Sequence, residues 1–111
     1  MNMLPVTSIA VSIEKTSSVE DLVWCAALMA SNEPWITLQR TYEDCSKLLA
    51  DPISEVYVLK QEQERIGFVM IKLKGSLTGY IQNICLSAQA RSQGIGEAAI
   101  RYIEELIFHE T

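Results

Sequence analysis

Tyr80-Ile81-Gln82-Asn83-Ile84-Cys85-Leu86-Ser87-Ala88-Gln89-Ala90-Arg91-Ser92-Gln93-Gly94-Ile95-Gly96 decides how the rest of the chain is read. Its first seven residues alternate as a strand does, although polar Gln82 and Asn83 are unusual at the centre. From Gly94 to His109 the apolar residues Ile95, Ala98, Ala99, Tyr102, Ile103, Leu106 and Ile107 recur at three and four, the spacing of an amphipathic helix. A strand that enters a glycine-bearing loop and then a helix aims free N–H groups and the positive end of the helix dipole at one point, where an anion is stabilised. Gly94 and Gly96 let the backbone approach a phosphate closely, and Arg91 adds a permanent charge with several donors. On the residues alone, a plain tight turn with a solvated Arg91 explains the same glycines about equally well.

Gly94-Ile95-Gly96-Glu97-Ala98-Ala99 also spells G-x-G-x-x-A. A dinucleotide fingerprint belongs in the first strand-to-helix turn, tight against its strand, with an acidic residue at a second strand about 20 residues on. Here seven residues separate Leu86 from Gly94 and three strands come first, so that reading is disfavoured.

Working outward, Ile9, Val11 and Ile13 alternate with Ala10 and Ser12 as a first strand. Ser17 and Glu20 have the spacing of a capping box for a helix over Val19 to Met29, with Leu22, Val23, Ala26, Ala27 and Met29 as its apolar stripe. Asn32-Glu33-Pro34 ends it, because the proline ring forces the residue before it into extended geometry. A short helix follows over Thr41 to Leu49, closed by Asp51-Pro52. Val56 to Leu59 and Ile66 to Leu73, separated by polar Gln61 to Arg65, read as an antiparallel hairpin. The expected order is strand, helix, helix, three strands, helix: an α/β (α+β) chain with a mixed, mainly antiparallel sheet of about four strands and three flanking helices.

With 111 residues, 49% hydrophobic and 21% charged, residues 1–111 fit one domain with a core of its own. A formal net charge of −5 argues against nucleic acid as the partner and favours an amine-bearing one. Cys25, Cys45 and Cys85 are odd in number, lack ligand spacing and sit among apolar residues, so free buried thiols are expected, with no disulfide and no metal. Neither a secretory signal nor a membrane-spanning run is found, which makes the cytoplasm the expected compartment.

Asn83 to Gly96 resembles the acetyl-CoA signature of the GNAT superfamily of N-acetyltransferases, whose core is Q/R-x-x-G-x-G/A; Arg91, Gly94 and Gly96 match it. The element order resembles the N-terminal portion of that fold, and Glu33-Pro34-Trp35 resembles acceptor-side loops of some bacterial members. Ala88 replaces the usual proline after the strand, and Ser92 the usual second glycine. The resemblance implies transfer of an acetyl group from acetyl-CoA to a primary amine of a small molecule or peptide. Backbone groups of Ile84, Cys85 and Leu86 would meet the pantetheine arm, and amides of Ser92, Gln93, Gly94, Ile95, Gly96 and Glu97, beside Arg91, would cradle the pyrophosphate. The Leu86 N–H would polarise the thioester carbonyl, and Glu33 would serve as base directly or through water. Tyr80 and Gln82 could reach the acceptor side, whereas His109 is not taken as a base.

The family normally continues with a splayed strand, a helix and a hairpin, so the domain is expected to be incomplete. That would leave the Tyr80–Leu86 strand as an open edge in need of a second copy or a further segment. Two alternatives follow, a non-catalytic acyl-CoA-binding module and an inactive fragment of an acetyltransferase.

Overall fold

The computed structural model describes residues 2–4, 11–33, 35–74, 78–91 and 94–110. Five strands form one sheet in the order β1-β2-β3-β4-β5, each antiparallel to its neighbour: β1 Asn2–Leu4, β2 Val11–Thr16, β3 Ser54–Gln61, β4 Glu64–Lys74 and β5 Thr78–Leu86. The helices are α1 Val19–Ala30, α2 Tyr42–Leu49 and α3 Ile95–Glu110, with a 3₁₀ turn at Ala88–Ala90 before the last. The order β-α-α-β-β-β-α holds from β2 onward, and the sheet gains a fifth strand at the N-terminus. At three residues, β1 is too short for an alternation pattern to reveal. The expected first strand is β2, displaced toward Thr16; Ile9 and Ala10 lie outside the described residues.

Both faces of the sheet are covered, which is why β4 reads as an unbroken apolar run rather than an alternating one. Val69 and Ile71 face α3 with Val11, Ile13, Tyr57, Leu59 and Ile66, packing on Ile95, Ala99 and Ile103. Phe68 and Met70 face the other way with Val56 and Cys85, against Cys25, Ala26 and Met29 of α1 and Cys45 and Leu49 of α2. Each fully buried Val, Leu, Ile, Phe or Met side chain among them contributes about 1.5–3 kcal/mol of transfer free energy.

Local chemistry sets the helix starts. Ser18, not Ser17, caps α1: its hydroxyl accepts from the Asp21 N–H at 3.4 Å. Glu20 is therefore not the capping partner. Asp21 instead turns inward, where its carboxylate accepts from Thr16 Oγ1 at 2.6 Å and Arg65 Nε at 2.8 Å. Thr41 caps α2 in a reciprocal box with Asp44.

Two irregularities stand beside the register shift at Leu59/Lys60. Glu62 and Gln63 make the β3–β4 turn with φ of 52° and 69°, a tight turn that twists the ribbon in the native sense without a glycine. In the β4–β5 ladder Met70 pairs with Asn83 and Ile71 with Ile81, so Gln82 is the extra residue of a bulge. This accounts for polar Gln82 at the centre of β5, while Asn83 is paired and accepts from the Cys85 thiol at 3.3 Å. The Gln82 and Tyr80 side chains lie outside the described residues.

Candidate functional site

A cleft of about 660 Å³ opens between β5, the N-terminal half of α3 and the turn after α1. It is lined by Asn32, Glu33, Ile84, Cys85, Leu86, Arg91, Gly96, Glu97, Ile100, Arg101 and Glu104. Such a volume suits a small-molecule ligand. Residues that the sequence places in three separate elements thus share one wall.

The hydrogen-bond alternation of β5 assigns its backbone groups. The Ser87 N–H donates to Ile66 O at 2.8 Å while Gly67 stands opposite Leu86, which makes Gly67–Leu86 a non-hydrogen-bonded pair. The N–H and C=O of Leu86 therefore point away from β4, toward the outer edge. Two residues back the same holds for Ile84, opposite Val69. Cys85, paired with Phe68, turns its backbone groups toward β4. Cys85 is thus a correction: it lines the cleft, while its backbone belongs to the ladder.

At the other end, Gly94 caps α3. Its carbonyl accepts from the Ala98 N–H at 3.1 Å, leaving the N–H groups of Ile95, Gly96 and Glu97 without a helical partner. Gly94 has φ of +76° with nothing within 4 Å of where a Cβ would stand, so the glycine serves conformation and leaves open space for a guest. Gly96 faces Leu86 and Ile84, whose Cδ1 atoms would lie 3.5 and 3.8 Å from an added Cβ. Ile95 sends its side chain into the core with no exposure, so only its amide faces outward. Ser92 and Gln93 lie outside the described residues.

The described residues thus fit a pyrophosphate-bearing cosubstrate: three amides without a helical partner at a helix start, an unfilled approach over Gly94, and an outward strand edge at Ile84 and Leu86.

Arg91 is engaged within the chain. Its Nε donates to Leu86 O at 3.3 Å and its Nη2 to Asn32 Oδ1. Arg101 pairs with Glu97 at 2.6 Å one turn earlier on α3. Glu33 is exposed, and its carboxylate accepts from Thr37 Oγ1 at 2.8 Å and Thr37 N–H at 2.9 Å. Those two bonds, the hydroxyl's first, hold its pKa below the usual glutamate value. Such a carboxylate is a persistent anion and a weak base.

The Cys85 thiol is pushed up to about 11 by burial and then by Cys45, and Cys25 up to about 12 by burial and then by Asp21. Thiolate chemistry at the cleft floor is therefore suppressed. Cys25, Cys45 and Cys85 are all free and buried. Among the described residues no three His, Cys, Asp or Glu side chains converge as a metal would require, and no helix is long and apolar enough to cross a membrane.

Sequence reading missed Asn32, Ile100, Arg101 and Glu104. The signal was available on α3, since Gly96, Ile100 and Glu104 are spaced by four on one face. For Asn32 there was none, because its role depends on a long-range contact.

The acetyltransferase (GNAT) family model matches residues 16–111. No curated protein matches the sequence. Among solved structures, the ribosomal-protein-alanine N-acetyltransferase of Brucella melitensis biovar Abortus 2308 superposes with a TM-score of 0.72 at 22% identity, over 91% of this chain and 74% of that one. A possible acetyltransferase of Clostridium difficile 630 gives 0.70 at 16% identity, over 86% and 70%. A transcriptional regulator of Bacillus halodurans C-125 gives 0.69 at 20%, over 89% and 75%. At these identities the likeness speaks to fold.

Proposed function

The chain belongs to the acetyltransferase (GNAT) family, and on that premise we propose that it transfers an acetyl group from acetyl-CoA to a primary amine. The observation that carries this reading is the position of the Leu86 N–H, turned out of the sheet at the foot of a cleft whose other end is the start of α3, where the amides of Ile95, Gly96 and Glu97 have no helical partner. Acetyl-CoA would supply the acyl group as an activated thioester. The chain would hold its diphosphate on those amides and run its pantetheine arm along the outward groups of Ile84 and Leu86. An N–H aimed at the carbonyl oxygen, fixed by the sheet before the reaction begins, stabilises the charge that develops there.

Glu33, ionised and exposed beside the cleft, attracts a cationic amine and takes its proton through water rather than directly. The cleft carries the carboxylates of Glu33, Glu97 and Glu104 against the guanidinium groups of Arg91 and Arg101, a balance that also favours an amine. The acceptor class is a primary amine of a small molecule or a peptide. Three reduced thiols support a reducing compartment such as the cytoplasm. The outer edge of β5 calls for cover from a second copy or from further polypeptide.

The depressed pKa of Glu33 favours a second reading, an acyl-CoA-binding module without turnover. Release of free thiol from acetyl-CoA that depends on added amine distinguishes the two. Leu86→Pro is the sharper probe, because an outward edge position tolerates proline while losing its N–H. Turnover reduced about 10²- to 10³-fold is expected, well beyond any loss of coenzyme affinity. Full turnover in that variant would remove the Leu86 N–H from the mechanism.

A further inference from the structure

Arg91 stands where the two ends of the cleft meet. Its guanidinium donates to Leu86 O and to Asn32 Oδ1, the latter 59 positions away in sequence. Asn32 is otherwise committed: its Nδ2 donates to Leu28 O at 2.6 Å at the end of α1, and its carbonyl accepts from the Ile36 N–H at 3.2 Å. The turn that carries Glu33 therefore hangs on Asn32, and Arg91 fastens Asn32 to the outer edge of β5. Leu86 O is the outward carbonyl beside the N–H assigned above, so Arg91 occupies the strand edge that a pantetheine arm would use.

We propose that Arg91 is a positioning residue that couples the two ends of the cleft. It straps the Asn32–Glu33 turn to β5, and a diphosphate at the start of α3 draws the guanidinium away, so that filling the donor end frees the acceptor end. The release half rests on the functional reading above; the strap itself does not. Both strap partners are neutral oxygens on an exposed arginine, and phosphate oxygens make charge-assisted, often bidentate bonds of roughly twice the strength. A residue shared by two sites couples them reciprocally.

Amide hydrogen exchange over residues 31–40 tests the strap in the full chain, with and without coenzyme A. Without ligand, Arg91→Ala and Asn32→Ala should each speed exchange several-fold, and the double variant should add nothing further. Agreement between the two matters, since Asn32→Ala also removes the bond to Leu28 O whereas Arg91→Ala leaves it intact. Coenzyme A should bring the wild-type rate up to that of ligand-free Arg91→Ala, while Asn32→Ala should not respond. Asn32→Ala should also bind coenzyme A about 2- to 10-fold more tightly, one hydrogen bond's worth of competition, and Asn32→Asp more weakly. Unchanged exchange in the ligand-free single variants, or full additivity, overturns the strap. Slower exchange on binding overturns the release. A cleft that takes up no coenzyme A overturns the functional reading together with the release, while the ligand-free arm still decides the strap.

Discussion

Gly67 lies directly opposite Leu86 in the β4–β5 ladder, and a Cβ on Gly67 would stand 2.5 Å from Cys85 O and 2.7 Å from Leu86 Cδ2. One of those atoms is backbone, so the strand itself would have to yield. Gly67→Ala should cost about 1–3 kcal/mol of stability, the usual range for overpacking, and should push Leu86 away from its place in the cleft. Urea unfolding and coenzyme A titration on the same variant check both effects. A stable variant with weakened binding shows the site moving alone, and no change in either measurement would mean that the strands do not approach this closely.

The two glycines of the loop should respond in opposite ways. Gly94→Ala forces a side chain onto φ of +76°, at about 1–2 kcal/mol. Gly96→Ala meets only ordinary contacts at 3.5 and 3.8 Å, and alanine favours a helix over glycine by about 1 kcal/mol. Thermal unfolding should therefore show loss for the first and retention or gain for the second. Coenzyme A titration should show weaker binding for Gly94→Ala, because the cap that aims the three amides is disturbed. Equal melting temperatures would contradict the assigned roles.

Sequence reading reached the elements from β2 onward because they are written in local signals. The three- and four-residue spacing of Ile95 to Ile103 and the β-rich run from Ile66 to Leu73 need no knowledge of partners. What it missed depends on contacts between distant positions. Gly67 is an unremarkable residue until Leu86 is placed opposite it, and Asn32 has a role only because Arg91 lies within reach. The cap of α1 slipped from Ser17 to Ser18 because adjacent serines offer the same chemistry, and burial of Asp21 against Arg65 settled the choice. The β3–β4 turn lacked its usual sign, since Glu62 and Gln63 take positive φ with neither glycine nor asparagine.

Asp21 and Arg65 should make stability fall at low pH. Burial raises the Asp21 pKa, but bonds from Thr16 and Arg65, aided by the Lys60 charge, outweigh it and leave the value lowered. A carboxylate whose folded pKa is depressed contributes stability that is present above its unfolded pKa of about 3.9 and is lost as pH falls through the folded value. Urea unfolding free energies between pH 7 and pH 2 should thus decline below about pH 4, and less steeply in Asp21→Asn. Arg65→Ala removes one of the two groups that bond the Asp21 carboxylate and should cost about 1–3 kcal/mol at pH 7. Parallel pH profiles for wild type and Asp21→Asn would show that this carboxylate is not a source of the acid sensitivity.

Thr37 should set the acid limb of turnover through Glu33. On the proposed reading the carboxylate is the form that attracts and deprotonates an amine, and Thr37 holds its pKa low, chiefly through the hydroxyl. Removing that hydroxyl with Thr37→Val leaves the backbone N–H bond in place, so the pKa should rise part of the way to its ordinary value. The acid limb of kcat/KM against pH should then move to higher pH, with the plateau little changed. Glu33→Gln provides the control, because it abolishes the limb if Glu33 is its origin and leaves it in place if another group is. A limb that stays fixed in Thr37→Val yet vanishes in Glu33→Gln would mean that the Thr37 bonds are already absent in the form that meets the amine, because kcat/KM reports ionisation before the amine binds. The turn would then be open before the acceptor arrives, and the same exchange measurements on residues 31–40, made with coenzyme A present and no acceptor, would register it.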